Sequence, residues 1–123
     1  MGYIEYGIEF SMTKDLNMYC CGKRVKSLNH SYGPLVRERF LLTYVNEGEA
    51  VLNINNEKKR FASNDLLVIY PGEKISYKTK KDVPWSISWI GVYGEQIEAF
   101  LNAVGVTREN PVLHVVNHDV LSK

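Results

Sequence analysis

The chain has 123 residues and a formal net charge of +1, from fifteen Lys and Arg against fourteen Asp and Glu. That length suits one domain and is short for two, and a charge this near zero argues against a segment that grips the DNA backbone, where phosphate contacts call for a basic excess. The adjacent Cys20 and Cys21 argue against a disulfide scaffold, and with no apolar run of roughly 20 residues and no signal-peptide pattern at the start, a cytoplasmic domain with no membrane contact is expected.

The opening residues alternate, with Ile4, Tyr6, Ile8 and Phe10 on one face and Glu5, Gly7 and Glu9 on the other, which predicts a half-buried strand. Lys14 to Asn17 reads as a loop. Met18 to Cys21 is apolar and ends at Gly22, Arg24 to Ser31 alternates weakly, and Ser31-Tyr32-Gly33-Pro34 is a turn cluster. Phe40 to Val45 is rich in aromatic and β-branched residues and predicts a strand; Asn46-Glu47-Gly48 then predicts a hairpin turn into Ala50, Leu52 and Ile54. Asn55-Asn56 predicts a second hairpin, and Ser63-Asn64-Asp65 turns the chain into the strand Leu66 to Tyr70, closed by Pro71-Gly72. Ile75 to Lys78 is a short strand, Lys80 to Pro84 a charged loop, and Trp85 to Val92 a strand with Trp85, Ile87, Trp89 and Gly91 on one face. Only then does the period change: Ile97, Phe100, Leu101 and Val104 fall at helical spacing over 95–104, with Gly105 as the C-terminal cap. Val112 to Val116 is a short apolar run that periodicity alone does not assign. Many short strands followed by one helix predict a mainly β fold, a sandwich or small barrel, in a single domain over 1–123.

Three stretches carry a resemblance. Asn64-Asp65-Leu66-Leu67-Val68-Ile69-Tyr70-Pro71-Gly72-Glu73 is similar to the second cupin motif. Arg37 to Ala50 resembles the paired strands that open the sensor domains of AraC-type transcription regulators, and Val83-Pro84-Trp85-Ser86-Ile87-Ser88-Trp89-Ile90-Gly91-Val92-Tyr93-Gly94 is similar to that family's Pro-Trp…Trp-Ile stretch. In series they cover about Cys20 to Pro111. The resemblance implies a cupin-type jelly-roll barrel with a C-terminal helix and a ligand cavity. It also implies homodimerisation, and DNA contact only through a C-terminal helix-turn-helix half that these residues do not contain. The first 14 residues are then a barrel strand, a ligand-gated arm or a swapped strand.

Many cupins are metalloenzymes, isomerases or dioxygenases among them, and a stand-alone carbohydrate-binding module is a further alternative. A metal needs several converging ligands. The first-motif strand has no histidine, and Ile75 stands where the resemblance places one after Pro71-Gly72. His114 and His118 are four apart, but in a β-branched stretch where helix is disfavoured. No Gly-x-Ser-x-Gly elbow or phosphate-cradling loop occurs. The expectation is a non-enzymatic domain without metal or cofactor that senses a small molecule, a sugar or sugar derivative.

For such a ligand the resemblance implies ring stacking on Trp89 and a hydroxyl from Tyr77, with Trp85 and Ile87 on the same face. Ile87 falls where some sugar-sensing relatives use histidine. Arg37 and Arg39 stand at the entrance of the first-motif strand, where an arginine fork suits a sugar hydroxyl or a carboxylate. Relatives carry an acidic residue at the place of Arg39, so its presence favours an acidic ligand or a plain surface charge.

Overall fold

Strand-forming stretches separated by Gly, Asn and Pro turns give a chain that switches repeatedly between two layers. The computed structural model describes residues 2–6, 10–11 and 17–115. Along them run β1 (Gly2–Tyr6), β2 (Phe10–Ser11), β3 (Asn17–Ser27), β4 (Ser31–Val36), β5 (Phe40–Glu47), β6 (Glu49–Ile54), β7 (Glu57–Ala62), β8 (Asp65–Ile69), β9 (Lys74–Thr79) and β10 (Trp85–Tyr93), then the helix α1 (Ile97–Ala103) and β11 (Val112–His114).

One sheet has the order β1-β3-β10-β5-β8-β11, with β2 also on β3; the other has the order β4-β9-β6-β7. From β3 to β10 the chain changes sheet at every connection except the β6–β7 hairpin. This is the jelly-roll arrangement of a cupin barrel, mainly β with one short helix.

That crossing corrects one expectation. Asn46-Glu47-Gly48 does not close a hairpin, since β5 and β6 lie in different sheets. Gly48 is a corner: its φ is +113°, and a Cβ there would sit 2.7 Å from the Pro84 carbonyl oxygen and 2.8 Å from Trp85 Cε3. Ser31 to Pro34 is likewise a strand rather than a turn. Its turn chemistry is absorbed by a break in the β4–β9 register between Tyr32 and Leu35, at Gly33 with φ +72°. Asn55 and Asn56, with φ of 52° and 63°, do make the tight β6–β7 hairpin.

The stretch before Gly22 and the weakly alternating one after it, as far as Ser27, are a single strand, β3; residues 28–30 lie outside any strand and Ser31 begins β4. Gly22 lies mid-strand, opposite Glu5 on one side and Trp89 on the other. β1 pairs antiparallel with β3 from Gly2↔Val25 to Tyr6↔Cys21. The helix is shorter than its 95–104 pattern, the 112–116 run pairs with β8 over 112–114, and residues 14–16 and His118 lie outside the described residues.

β8 shows why the larger sheet is covered on both faces. Its run Leu66-Leu67-Val68-Ile69 does not alternate in polarity, and both of its sides are apolar. Leu67 and Ile69 join the core between the sheets, with Leu52, Phe61, Ile75 and Trp85. Val68 packs on the outside with Phe40, Tyr70, Val92, Ile97 and Leu101, beneath α1. Each large apolar side chain buried this way stabilises the fold by about 1.5–3 kcal/mol.

Candidate functional site

A cavity of about 200 Å³ opens between the sheets. The larger sheet supplies Arg24 from β3, Leu41 and Thr43 from β5, and Ile87 and Trp89 from β10. Pairing brings these together: Ile87 lies opposite Arg24, and Trp89 lies opposite Gly22 on one side and Thr43 on the other. The period-two geometry of β10 sends Ile87 and Trp89 to one face. Tyr32 and Tyr77 come from the paired strands β4 and β9, with His30 and Arg37 just outside the two ends of β4.

The tyrosine rings of 32 and 77 stack with centroids 5.0 Å apart and planes 3° from parallel. Phe61 meets Tyr77 edge-on behind them. Burial pushes the Tyr77 hydroxyl far above its ordinary range, so it stays protonated.

Arg37 donates from Nη1 to the Tyr32 hydroxyl at 3.3 Å and from Nη2 to the Tyr19 hydroxyl at 3.4 Å. Its Nε is buried and has no hydrogen-bond partner. Burial works against the guanidinium charge, but the two hydroxyls outweigh it, and the pKa rises. The Tyr19 hydroxyl in turn donates to the Phe40 carbonyl at 3.1 Å.

His30 is fixed by its backbone. Its amide donates to Thr79 Oγ1 at 2.9 Å, and its carbonyl accepts from the Thr79 amide and hydroxyl. Burial, and then the charge of Arg24, hold its imidazole below the usual range. The cavity thus combines one indole face, a pair of stacked phenols, two guanidinium groups and a neutral imidazole at neutral pH. Such a surface binds a small polar molecule through ring stacking and hydrogen bonds.

Residues 17–123 match the profile of the AraC-like ligand binding domain. The chain belongs to this family. It is 25% identical over 99 residues, 80% of its length, to the lactose operon transcription activator of Staphylococcus xylosus, covering 36% of that protein. It is 28% identical over 87 residues, 71% of its length, to the Msm operon regulatory protein of Streptococcus mutans, covering 31% of it. The chain therefore spans about a third of the length of these regulators. Its fold is similar to YhaK from Escherichia coli, with a TM-score of 0.65 at 14% identity over 93% of this chain and 51% of that one. It is also similar to a Cupin 2 conserved barrel domain protein from Salinispora arenicola, with a TM-score of 0.57 at 12% identity over 82% of each chain.

Of the six side chains singled out from the sequence of this AraC-like domain, Arg37, Tyr77, Ile87 and Trp89 line the cavity together. Trp85 does not. It is fully buried behind them, against Phe61 and Tyr77, at the first position of β10. Arg39 also lies elsewhere, with its guanidinium 3.9 Å from the Tyr93 ring centroid and 5.4 Å from that of Tyr19. Ile75 is a core residue.

Sequence reasoning missed Arg24, His30, Tyr32, Leu41 and Thr43. Leu41 and Thr43 were reachable, since they share the inward period of β5. Arg24 and His30 were not, since their place depends on which strand β3 pairs with and on how the chain leaves it. No helix among the described residues is long and apolar enough to cross a membrane.

Proposed function

We propose that this domain is the effector-sensing part of an AraC-type transcription regulator. It binds one small molecule, a sugar or sugar derivative, in the cavity between its sheets and governs a DNA-binding segment of the longer protein. The observation that carries this is the convergence of Trp89, Tyr77, Arg37 and Ile87 on one cavity, in a family of ligand-binding domains.

A saccharide suits the chemistry. Its apolar ring face stacks on an indole, and its hydroxyls meet the fixed tyrosine and arginine donors. One relative is named for a lactose operon, which points the same way. The cavity is smaller than a drug-sized site, so it takes about one sugar ring. Self-association belongs to the same proposal. Phe100, 70% exposed, and Val104, 46% exposed, leave an apolar surface on α1 suited to a second subunit.

A thermal-shift screen against mono- and disaccharides, sugar acids and divalent metals tests the proposal. A ligand at a hundred times its dissociation constant adds about 2.7 kcal/mol of stability. A sugar response that vanishes in Trp89→Ala is expected. A response to metal alone would replace this reading with that of a cupin enzyme.

A further inference from the structure

The polar groups of the cavity are unevenly matched to a neutral sugar. Every sugar hydroxyl both donates and accepts, so a neutral sugar needs strong acceptors as well as donors around it. Among the described residues no carboxylate and no side-chain amide lines this cavity. Arg24 and Arg37 are donors only, whatever else they bind. The remaining polar side-chain groups of its lining residues are the hydroxyls of Thr43, Tyr32 and Tyr77, the ring of His30 and the indole N–H of Trp89, itself a donor only, and the Tyr32 hydroxyl already accepts from Arg37.

Arg37 adds a sharper observation. Both of its Nη hydrogen bonds go to neutral hydroxyls, and its buried Nε donates to nothing. A buried donor without an acceptor is unfavourable, so the two neutral hydroxyls leave the hydrogen-bonding capacity of this guanidinium incompletely answered. Arg24 stands near enough for its charge to act on both His30 and Tyr77, so a second cation faces the same space. A donor-rich, acceptor-poor cavity complements a group that only accepts.

We propose that the effector carries an anionic oxygen group, a carboxylate or a phosphate, held by the nitrogen donors of Arg24, His30 and Arg37. The proposal rests on the sensor reading above and narrows it from saccharides at large to acidic sugar derivatives.

Calorimetric titration of the protein with glucose, galactose and mannose, each beside its uronate and its 6-phosphate, tests this directly. At least one acidic form should bind about ten-fold or more tightly than its parent sugar, because a charge-assisted hydrogen bond outweighs a neutral one. The gap should narrow as salt is raised. It should close in Arg24→Gln and persist in Arg24→Lys, with thermal melting showing that both variants fold. Preference for the uronate or for the phosphate identifies which anion is recognised.

Parent sugars that bind as tightly as every acidic form, with all binding lost in Trp89→Ala, would overturn the anion and leave the sensor reading standing. Absence of binding across the whole panel would overturn both.

Discussion

The ring of Tyr19 lies directly over Gly91: a Cβ at position 91 would fall 2.4 Å from Tyr19 Cζ and 2.7 Å from Cys20 Sγ. Glycine at this point of β10 is what lets the Tyr19 hydroxyl reach both Arg37 and the Phe40 carbonyl. Gly91→Ala should therefore destabilise the domain by about 1–3 kcal/mol through overpacking. It should also weaken effector binding by freeing Arg37 from one of its two tethers. Urea denaturation alongside titration checks both. An unchanged midpoint would mean that the ring moves aside without consequence.

The two tryptophans of β10 separate stability from binding. Trp85 is fully buried, so Trp85→Ala should remove about 3–5 kcal/mol of stability. Trp89 is only partly buried and faces the cavity. Trp89→Ala should lower thermal stability much less, while losing most of the response to effector. Equal losses of stability in the two variants would show that Trp89 is a core residue and would remove it from the site.

Periodicity made Trp89 legible and Trp85 ambiguous, for one physical reason. Alternation tells which side of a strand a residue faces, but not which part of the barrel it reaches: Trp85 opens β10 among Phe61 and Tyr77, and Trp89 lies mid-strand at the cavity. The same limit applies at Gly48, where turn-forming residues specify a reversal of direction without specifying whether the next strand joins the same sheet. The Asn55-Asn56 hairpin was legible because two positive-φ residues in sequence leave few alternatives. Arg24 and His30 were hidden for the opposite reason: a charged residue in a weakly alternating stretch looks like solvent-exposed surface until its neighbour across the sheet is known. Phe100 shares the helical spacing of Ile97 and Leu101, yet those two are buried and it is exposed, which spacing alone does not decide.

Glu73 offers a test in which charge works against the fold. Its side chain is 18% exposed, with Arg108 Nη1 4.0 Å away. Burial raises its pKa; Arg108 opposes this, and Glu109 and Glu98 add to it. The long contact to Arg108, itself paired with Glu98 at 3.1 Å, offsets only part of the burial. The native state therefore holds this proton to higher pH than the unfolded chain does. Stability is lost as pH rises through the folded pKa, from the ordinary carboxylate value upward. Glu73→Gln should match the wild type at about pH 4 and become the more stable of the two near about pH 7.5. Paired urea melts decide it; a variant less stable at neutral pH would show that the Arg108 pair dominates.

His30 reverses that sign. Burial first, and Arg24 second, lower its imidazole pKa from 6.5 in the native state. Just below 6.5 the unfolded chain takes up a proton that the folded domain refuses, so the unfolded state binds more protons and stability rises with pH. The contribution is fully present above the unfolded value and is lost as pH falls from there toward the folded pKa. His30→Gln abolishes this titration. Nearby Tyr32 and Tyr77, both raised above their ordinary value by burial, do not change charge in that window. The stability difference between wild type and variant should therefore shift in the variant's favour on acidification from about pH 7.5 to about pH 5.5. Thermal melts in matched buffers measure it. A difference that stays constant across that range would show that His30 titrates alike in both states, with the cavity as open to water at this ring as the unfolded chain.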